Sequence, residues 1–338
     1  MKTSVAAAVL CALLLLVLCF AVPDGQILWE AADALYTDAE PAPLTLDIKP
    51  FGAGLAASAI LAWAVSLFLS GRKIPMQKAL CWFACALALG IFLSRLLYCV
   101  VETAYYNPKW LSRMAALRIW DGGMAITGAI WGILLAGIIV PEGKVLIPAA
   151  APLFLAGARL SETFTQLGYG PSVYFEGFLS VQVGYATRLN VSLLEAAAAL
   201  IIFVCIALLP RHCAKKKLAL SDSHRVYAFV IVYGISQLFM ESLRKDRHMI
   251  WGFVKVQQIL AILLVVGALL LLSKSRGEKC RALLISLCAV LPLIGLEFAL
   301  DRVDLSIFIL YGVYLTILAA YLIAAYRIFR SSLSSTAE

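Results

Sequence analysis

Ten apolar runs, most of them long enough to cross a hydrocarbon core, leave this chain of 338 residues few choices of fold. They cover about Val5–Val22, Phe51–Ser70, Ala79–Val101, Met124–Val140, Val145–Ala158, Val191–Leu209, Tyr227–Leu243, Val256–Leu272, Ala282–Leu300 and Leu305–Ile323. A helix that spans a bilayer needs roughly 20 apolar residues. The chain is 63% hydrophobic and 14% charged, against about 25% charged in soluble domains. A soluble fold has nowhere to bury that much apolar surface. The pattern predicts an all-α polytopic membrane protein. The fifth run is short and carries Pro148 and Pro152, so it reads as broken or partly re-entrant. The first run could be a signal peptide, with Met1-Lys2 ahead of it and Ala21 as a cleavage residue. We read it as an uncleaved helix.

The net charge of +8 sits in short clusters between the runs. That is a topology signal, not a nucleic-acid signal. Arg72, Lys73 and Lys78 form one basic loop. Arg211, Lys215, Lys216 and Lys217 form a second, and Lys274, Arg276, Lys279 and Arg281 a third. Arg327 and Arg330 lie in the tail. The segment from Pro23 to Pro50 is acidic, with Asp24, Glu30, Asp33, Asp38, Glu40 and Asp47 against Lys49. Asp301 and Asp304 mark another acidic loop. With the N-terminus in the cytoplasm and ten crossings, every basic loop falls inside and both acidic ones outside. Three outward stretches then remain, Glu102–Gly123, Arg159–Asn190 and Glu241–Lys255, which mix Arg, Glu, Trp, Tyr and Gly.

Most of the nine cysteines lie within apolar runs and no CxxC occurs, so they read as small apolar side chains rather than a metal site or disulfide framework. There is no GxSxG, HExxH, P-loop or dinucleotide-binding glycine fingerprint. No cofactor or metal is expected.

The polar residues gather in a few places. In the stretch from Ile119 to Gly132, glycines at 122, 123, 128 and 132 punctuate a helix entry. Gly128 and Gly132 form a GxxxG face for close helix packing, and Gly122-Gly123 could offer backbone N–H groups to an anion. Arg159 and Glu162 follow the fifth run within a few residues. Their spacing of three also fits a local ion pair. Gln237, Glu241 and Arg244 recur at spacings of four and three, on one helix face. Gln257-Gln258 opens the next helix. Arg95 and Glu195 are ionisable groups inside or at the end of apolar runs, where such groups face protein or a cavity. Guanidinium groups at this depth suit phosphate recognition, a phospholipid headgroup being the phosphate at hand. The competing reading is that Arg95, Glu195 and Glu241 pair and lock the bundle.

At these residues the sequence resembles the prolipoprotein diacylglyceryl transferase family, from about Leu44 to Leu272. The features that carry the resemblance come in the family's order. They are the Arg–Leu–Leu–Tyr stretch Arg95–Tyr98 and the Gly-rich entry Trp120–Gly132. Next come the arginine motif from Arg159 to Tyr169-Gly170-Pro171 and Leu193-Leu-Glu195. Tyr233–Arg244 and Gln258-Ile-Leu close the series. The departures are specific. The family's Gly-Gly-Met-Ser-Phe-His-Gly reads Gly-Gly-Met-Ala-Ile-Thr-Gly here, so Thr127 stands where the family has histidine. Glu162 stands in place of an asparagine and Gln237 in place of an arginine. Leu189-Asn190 replaces a His-Pro pair. Arg159, Gly170, Glu195, Glu241 and Arg244 match.

The resemblance implies a seven-helix transferase-like core with one extra N-terminal and two extra C-terminal helices. It divides the chain into 1–43, an N-terminal helix or signal segment plus acidic loop; 44–273, the transferase-like domain; and 274–338, a two-helix extension. The implied activity is transfer of a diacylglyceryl group from phosphatidylglycerol to the lipobox cysteine thiol of prolipoproteins. The alternative is a catalytically silent or altered-substrate lipid-binding membrane protein. The implied catalytic residues are Arg159, Glu241 and Arg244; Glu162, which departs from the family, is expected to join them as a substitute base for the missing histidine. Arg95, Gly122, Gly123, Thr127, Tyr169, Gly170, Glu195, Gln237 and Gln258 are expected to bind substrate. The implied partners are phosphatidylglycerol, prolipoprotein signal peptides and membrane lipids, with no nucleic acid. The expected location is the bacterial cytoplasmic membrane, both termini inside and the active face outward.

Overall fold

The computed structural model describes residues 2–22, 47–71, 73–106, 119, 123–165, 167–245, 249–251, 254–302 and 306–334. The acidic segment preceding Asp47 lies largely outside the described residues, as do Asp304 and Gly122. Ten α-helices occur among the described residues. They are α1 (Lys2–Ala21), α2 (Pro50–Leu69), α3 (Met76–Tyr106), α4 (Ile126–Ile139), α5 (Ile147–Ser161), α6 (Val191–Lys215), α7 (Asp222–Leu243), α8 (Val256–Leu272), α9 (Arg276–Arg302) and α10 (Ile307–Ser334). Seven of these, α1–α3, α6, α7, α9 and α10, are long and apolar enough to cross a membrane. Helices α4, α5 and α8 are shorter, at 14, 15 and 17 residues. The chain is a multi-pass helical membrane protein.

The fifth run, read from sequence as broken, forms the continuous helix α5. Its two prolines explain why it survives. Pro148 falls in the first turn, where no N–H is needed. Pro152 alone sits inside and removes a single ladder bond. A 3-10 turn over Pro141–Val145 leads into the helix.

The chain divides into two compact units, Met1–Phe203 and Val204–Glu338. In the first unit, small residues set the helix spacing. Lipid offers no hydrophobic drive for helices to associate, so close backbone packing must supply it. Gly128 and Gly132 lie against the backbone of Leu93-Ser94 and Leu89-Gly90, where a Cβ would overlap α3. The GxxxG face read from the sequence is thus the α3–α4 seam. A second seam joins α2 and α5 reciprocally: Gly54 faces Ser161, and Gly157 faces Ser58. Both serines turn their hydroxyls onto their own helix, Ser58 to the Gly54 carbonyl at 2.6 Å and Ser161 to the Gly157 carbonyl at 2.8 Å. Helix α1 packs on α2 through Gly52, which lies against the Leu18 carbonyl.

Between α5 and α6 runs a three-stranded antiparallel sheet, β1 (Tyr169–Ser172), β2 (Ser180–Val183) and β3 (Ala186–Asn190), in the order β1-β3-β2. In the second unit β4 (Ile250–Trp251) pairs with β5 (Val254–Lys255) ahead of α8. There Gly234 of α7 lies against Val265 and Ala261 of α8, and α10 packs on both α7 and α9.

Candidate functional site

Helix α5 ends by delivering two charged side chains into the protein interior. Arg159 and Glu162 lie one turn apart, and both are buried. Arg159 Nη1 donates to Glu162 Oε2 at 2.8 Å. The Arg159 Nε edge forms a second ion pair, with Glu195 of α6. One guanidinium therefore holds two carboxylates on two helices, using two edges of its fork. A lysine ammonium has no such planar fork. Ser192, one turn before Glu195, donates its hydroxyl to Glu162 Oε2 at 2.8 Å. The local pair expected from spacing is present, and it is half of a larger centre.

Gly168 closes this centre. Its φ of +75° suits glycine. An added Cβ would meet Ser192 Cβ at 3.1 Å and Glu162 Cδ at 3.2 Å. Its carbonyl accepts from the N–H groups of Val191 and Ser192 at 3.0 and 3.2 Å, which fixes the start of α6. The next residue, Tyr169, lies in β1, and Arg188 of β3 stacks 5.0 Å from the centre of its ring. Gly170 is buried in the same strand.

Arg95 is buried on α3, where its Nη1 donates to the Gly123 carbonyl at 3.1 Å. Gly123 also has positive φ, +78°, and packs flat on the Tyr98 ring where no Cβ would fit. Two residues of the expected site, Arg95 and Gly123, thus form one contact group with Tyr98 of the Arg–Leu–Leu–Tyr stretch. Thr127 is fully buried in the first turn of α4.

In the second unit Gln237 Nε2 donates to Glu241 Oε1 at 3.0 Å, so the spacing of four on α7 does bring them together. Arg244 caps α7 and is buried. Lys255 donates to the Glu241 carbonyl and, at 2.5 Å, to the Arg244 carbonyl. A cation at the carbonyl end of a helix is favoured by the helix dipole. Gln258 Nε2 donates to Glu297 Oε1 at 2.6 Å and faces the Leu238 carbonyl at 3.3 Å. Among the described residues no group of three or more His, Cys, Asp or Glu could hold a metal ion.

Sequence reasoning passed over Ser192, Gly168 and Glu297. Ser192 carried one usable signal, a spacing of three from Glu195. Glu297 carried another, as a lone carboxylate inside an apolar run.

Fold and site together define a multi-pass membrane protein whose first unit holds a buried arginine–carboxylate centre. Residues 42–274 match the model of the prolipoprotein diacylglyceryl transferase family. The chain belongs to that family. It is 29% identical over 234 residues to a phosphatidylglycerol–prolipoprotein diacylglyceryl transferase of Streptococcus equi subsp. equi, covering 64% of this chain and 87% of the relative. A protein of the same name from Streptococcus uberis is 29% identical over 258 residues, covering 70% and 96%. One from Clostridium novyi is 26% identical over 251 residues, covering 68% and 92%. Helices α9 and α10 follow the matched segment.

Proposed function

We propose that the chain transfers a diacylglyceryl group from phosphatidylglycerol to the lipobox cysteine of prolipoproteins. The observation that carries this reading is the buried Arg159 guanidinium clamped by Glu162 and Glu195 within the family-matched segment. In the reaction the C–S bond to the cysteine forms as the C–O bond between diacylglycerol and phosphate breaks. Glycerol phosphate leaves as an anion, and the thiol proton passes to a base. A fixed guanidinium in a water-poor site stabilises that leaving charge without reorganising. Glu162 is the base in this scheme, as the carboxylate that meets the Arg159 guanidinium in the buried centre. Arg244 and Glu241 serve the same reaction, and Arg95, Gly122, Gly123, Tyr169, Gly170, Gln237 and Gln258 shape the substrate site.

The loop charges support a cytoplasmic-membrane placement with both termini inside and the site outward. Residues 44–273 then form the transferase domain, with 1–43 and 274–338 as appendages. One observation favours a second reading. Thr127, at the family's histidine position, is fully buried and has no titratable group. A lipid-binding or altered-substrate role would follow if that histidine's task has no replacement.

The test incubates the purified protein, in phosphatidylglycerol micelles, with a lipobox cysteine peptide, and reads the peptide by mass spectrometry. A diacylglyceryl adduct that disappears in Arg159→Ala is expected. Glu162→Gln should abolish it too, and retained transfer in that variant would remove Glu162 as the base. No adduct, beside an active family enzyme in the same assay, would refute the transferase reading.

A further inference from the structure

Helices α9 and α10 lie beyond the family-matched residues, yet their polar side chains reach into α7. Tyr311 and Tyr314 are three residues apart on α10 and share one face. Tyr311 donates to the Ser242 carbonyl at 3.2 Å. Tyr314 donates to the Leu238 carbonyl at 3.0 Å. Leu238 and Ser242 are four apart on α7, and Glu241 lies between them. The two tyrosines therefore act as two rungs on a single turn of α7. Phe239 fills the space beside them, with ring centres 6.0 Å from Tyr311 and 6.1 Å from Tyr314.

Glu297 of α9 ties the arrangement to α8. Its Oε1 accepts from Gln258 Nε2 at 2.6 Å and lies 3.0 Å from the Tyr314 hydroxyl. The Leu238 carbonyl, already used in the helix, keeps a second lone pair, and the Ser242 carbonyl lies in the last turn of α7, where carbonyls have no partner within the helix, so the tyrosines add to α7 without breaking its ladder. From the other side Lys255 holds the Glu241 and Arg244 carbonyls. The turn that carries Glu241 is thus fixed in height and rotation by hydroxyls from outside the family segment.

We propose that the α9–α10 extension is a clamp that sets the register of the Glu241–Arg244 turn, and that Tyr311, Tyr314 and Glu297 are positioning residues for the transfer reaction. This rests on the transferase reading given above. A clamp of this kind acts on reaction geometry. A small misplacement far from the reacting atoms can lower a rate up to about a hundredfold.

The test compares Y311F/Y314F with Y321F in the full chain, using transfer to a lipobox cysteine peptide from phosphatidylglycerol micelles. Tyr321 is the matched control, because its hydroxyl meets Ser286 Oγ of α9 at 2.9 Å and joins the extension only to itself. Each change keeps the ring and so keeps the fold. The double variant is expected to lose about tenfold in kcat, with KM for phosphatidylglycerol within about twofold, and to exchange the amides of residues 238–244 faster. Y321F should lower the unfolding temperature and leave kcat unchanged. If the double variant keeps its kcat, or if Y321F loses as much, the clamp is overturned while the transferase reading stands. A wild-type chain that transfers nothing overturns both.

Discussion

Replacing Arg159 by methionine removes a cation that two buried carboxylates share. Methionine keeps much of the side-chain length and takes the guanidinium away from both Glu162 and Glu195 in the protein interior. Breaking a buried ion pair by deleting one partner costs about 3–5 kcal/mol, because the remaining charge is desolvated without compensation. Two helices are affected at once, α5 through Glu162 and α6 through Glu195. For a unit of this size each kcal/mol moves the unfolding temperature by about 2–4 °C. Arg159→Met should therefore unfold about 6–20 °C below the wild type. The same argument predicts a rescue. In Arg159→Met with Glu162→Gln and Glu195→Gln no charge is stranded, and the Ser192 hydroxyl can still donate to the amide oxygen introduced at position 162. Neutral replacements for buried ion clusters are often nearly as stable as the original, so the triple variant should return to within about 1–2 kcal/mol of the wild type. Thermal unfolding in detergent, followed by helical circular dichroism, reads all of these. A shift under about 2 °C for Arg159→Met, or a triple variant no more stable than the single one, would refute the argument. Under the proposed mechanism the triple variant should stay inactive despite its stability, because that mechanism needs the Arg159 guanidinium.

Gly168→Ala combines a left-handed backbone with overlap against Ser192 and Glu162; it should cost about 2–3 kcal/mol in thermal unfolding. Ser192→Ala leaves Glu162 one donor short and should cost about 1–3 kcal/mol in the same measurement. In Gly132→Leu the side chain would enter the α3 backbone at Gly90, so the variant should fail to reach a monodisperse state in detergent. Gly267→Ala, at a helical position with open space around it, should be neutral or gain up to about 1 kcal/mol.

The apolar runs marked the positions of all ten helices among the described residues, the fifth only as a broken or re-entrant segment, because run length and spacing are local properties of the chain. The ends were less legible: α5 runs on to Ser161, past the end of its apolar run, because Arg159 turns into the interior where the carboxylates meet it. The Arg159–Glu162 pair could be read from a spacing of three. Its extension to Glu195 and Ser192 could not, since Ser192 and Glu162 are 30 residues apart and meet only through the packing of α6. The pairing of Tyr314 with Leu238 spans 76 residues and depends on α10 packing against α7. Arg95 shows the opposite case. Its burial was legible, but its engagement with the Gly123 carbonyl required a left-handed glycine that spacing does not reveal.

The polar groups proposed to carry the chemistry of this protein also serve as glue, which would couple activity to stability. Between membrane helices, association rests on tight packing and interhelical hydrogen bonds. The first unit uses both: tight packing in the glycine–serine seam of α2–α5 and the glycine seam of α3–α4, and polar ties in the Arg159 centre. The second uses Gly234 against α8 and the Glu297–Gln258–Tyr314 group. A substitution at Arg159 or Glu195 therefore removes a helix tie along with a candidate reactive group, and loss of activity alone cannot assign a role there. Neutral pairs separate the two effects, because they restore the tie and leave the charge missing. Tyr311 and Tyr314 allow the reverse separation. They carry no charge the reaction could use, so a fall in kcat at those positions reports the placement of α7 and of the Gln258 side chain that shares Glu297 with Tyr314.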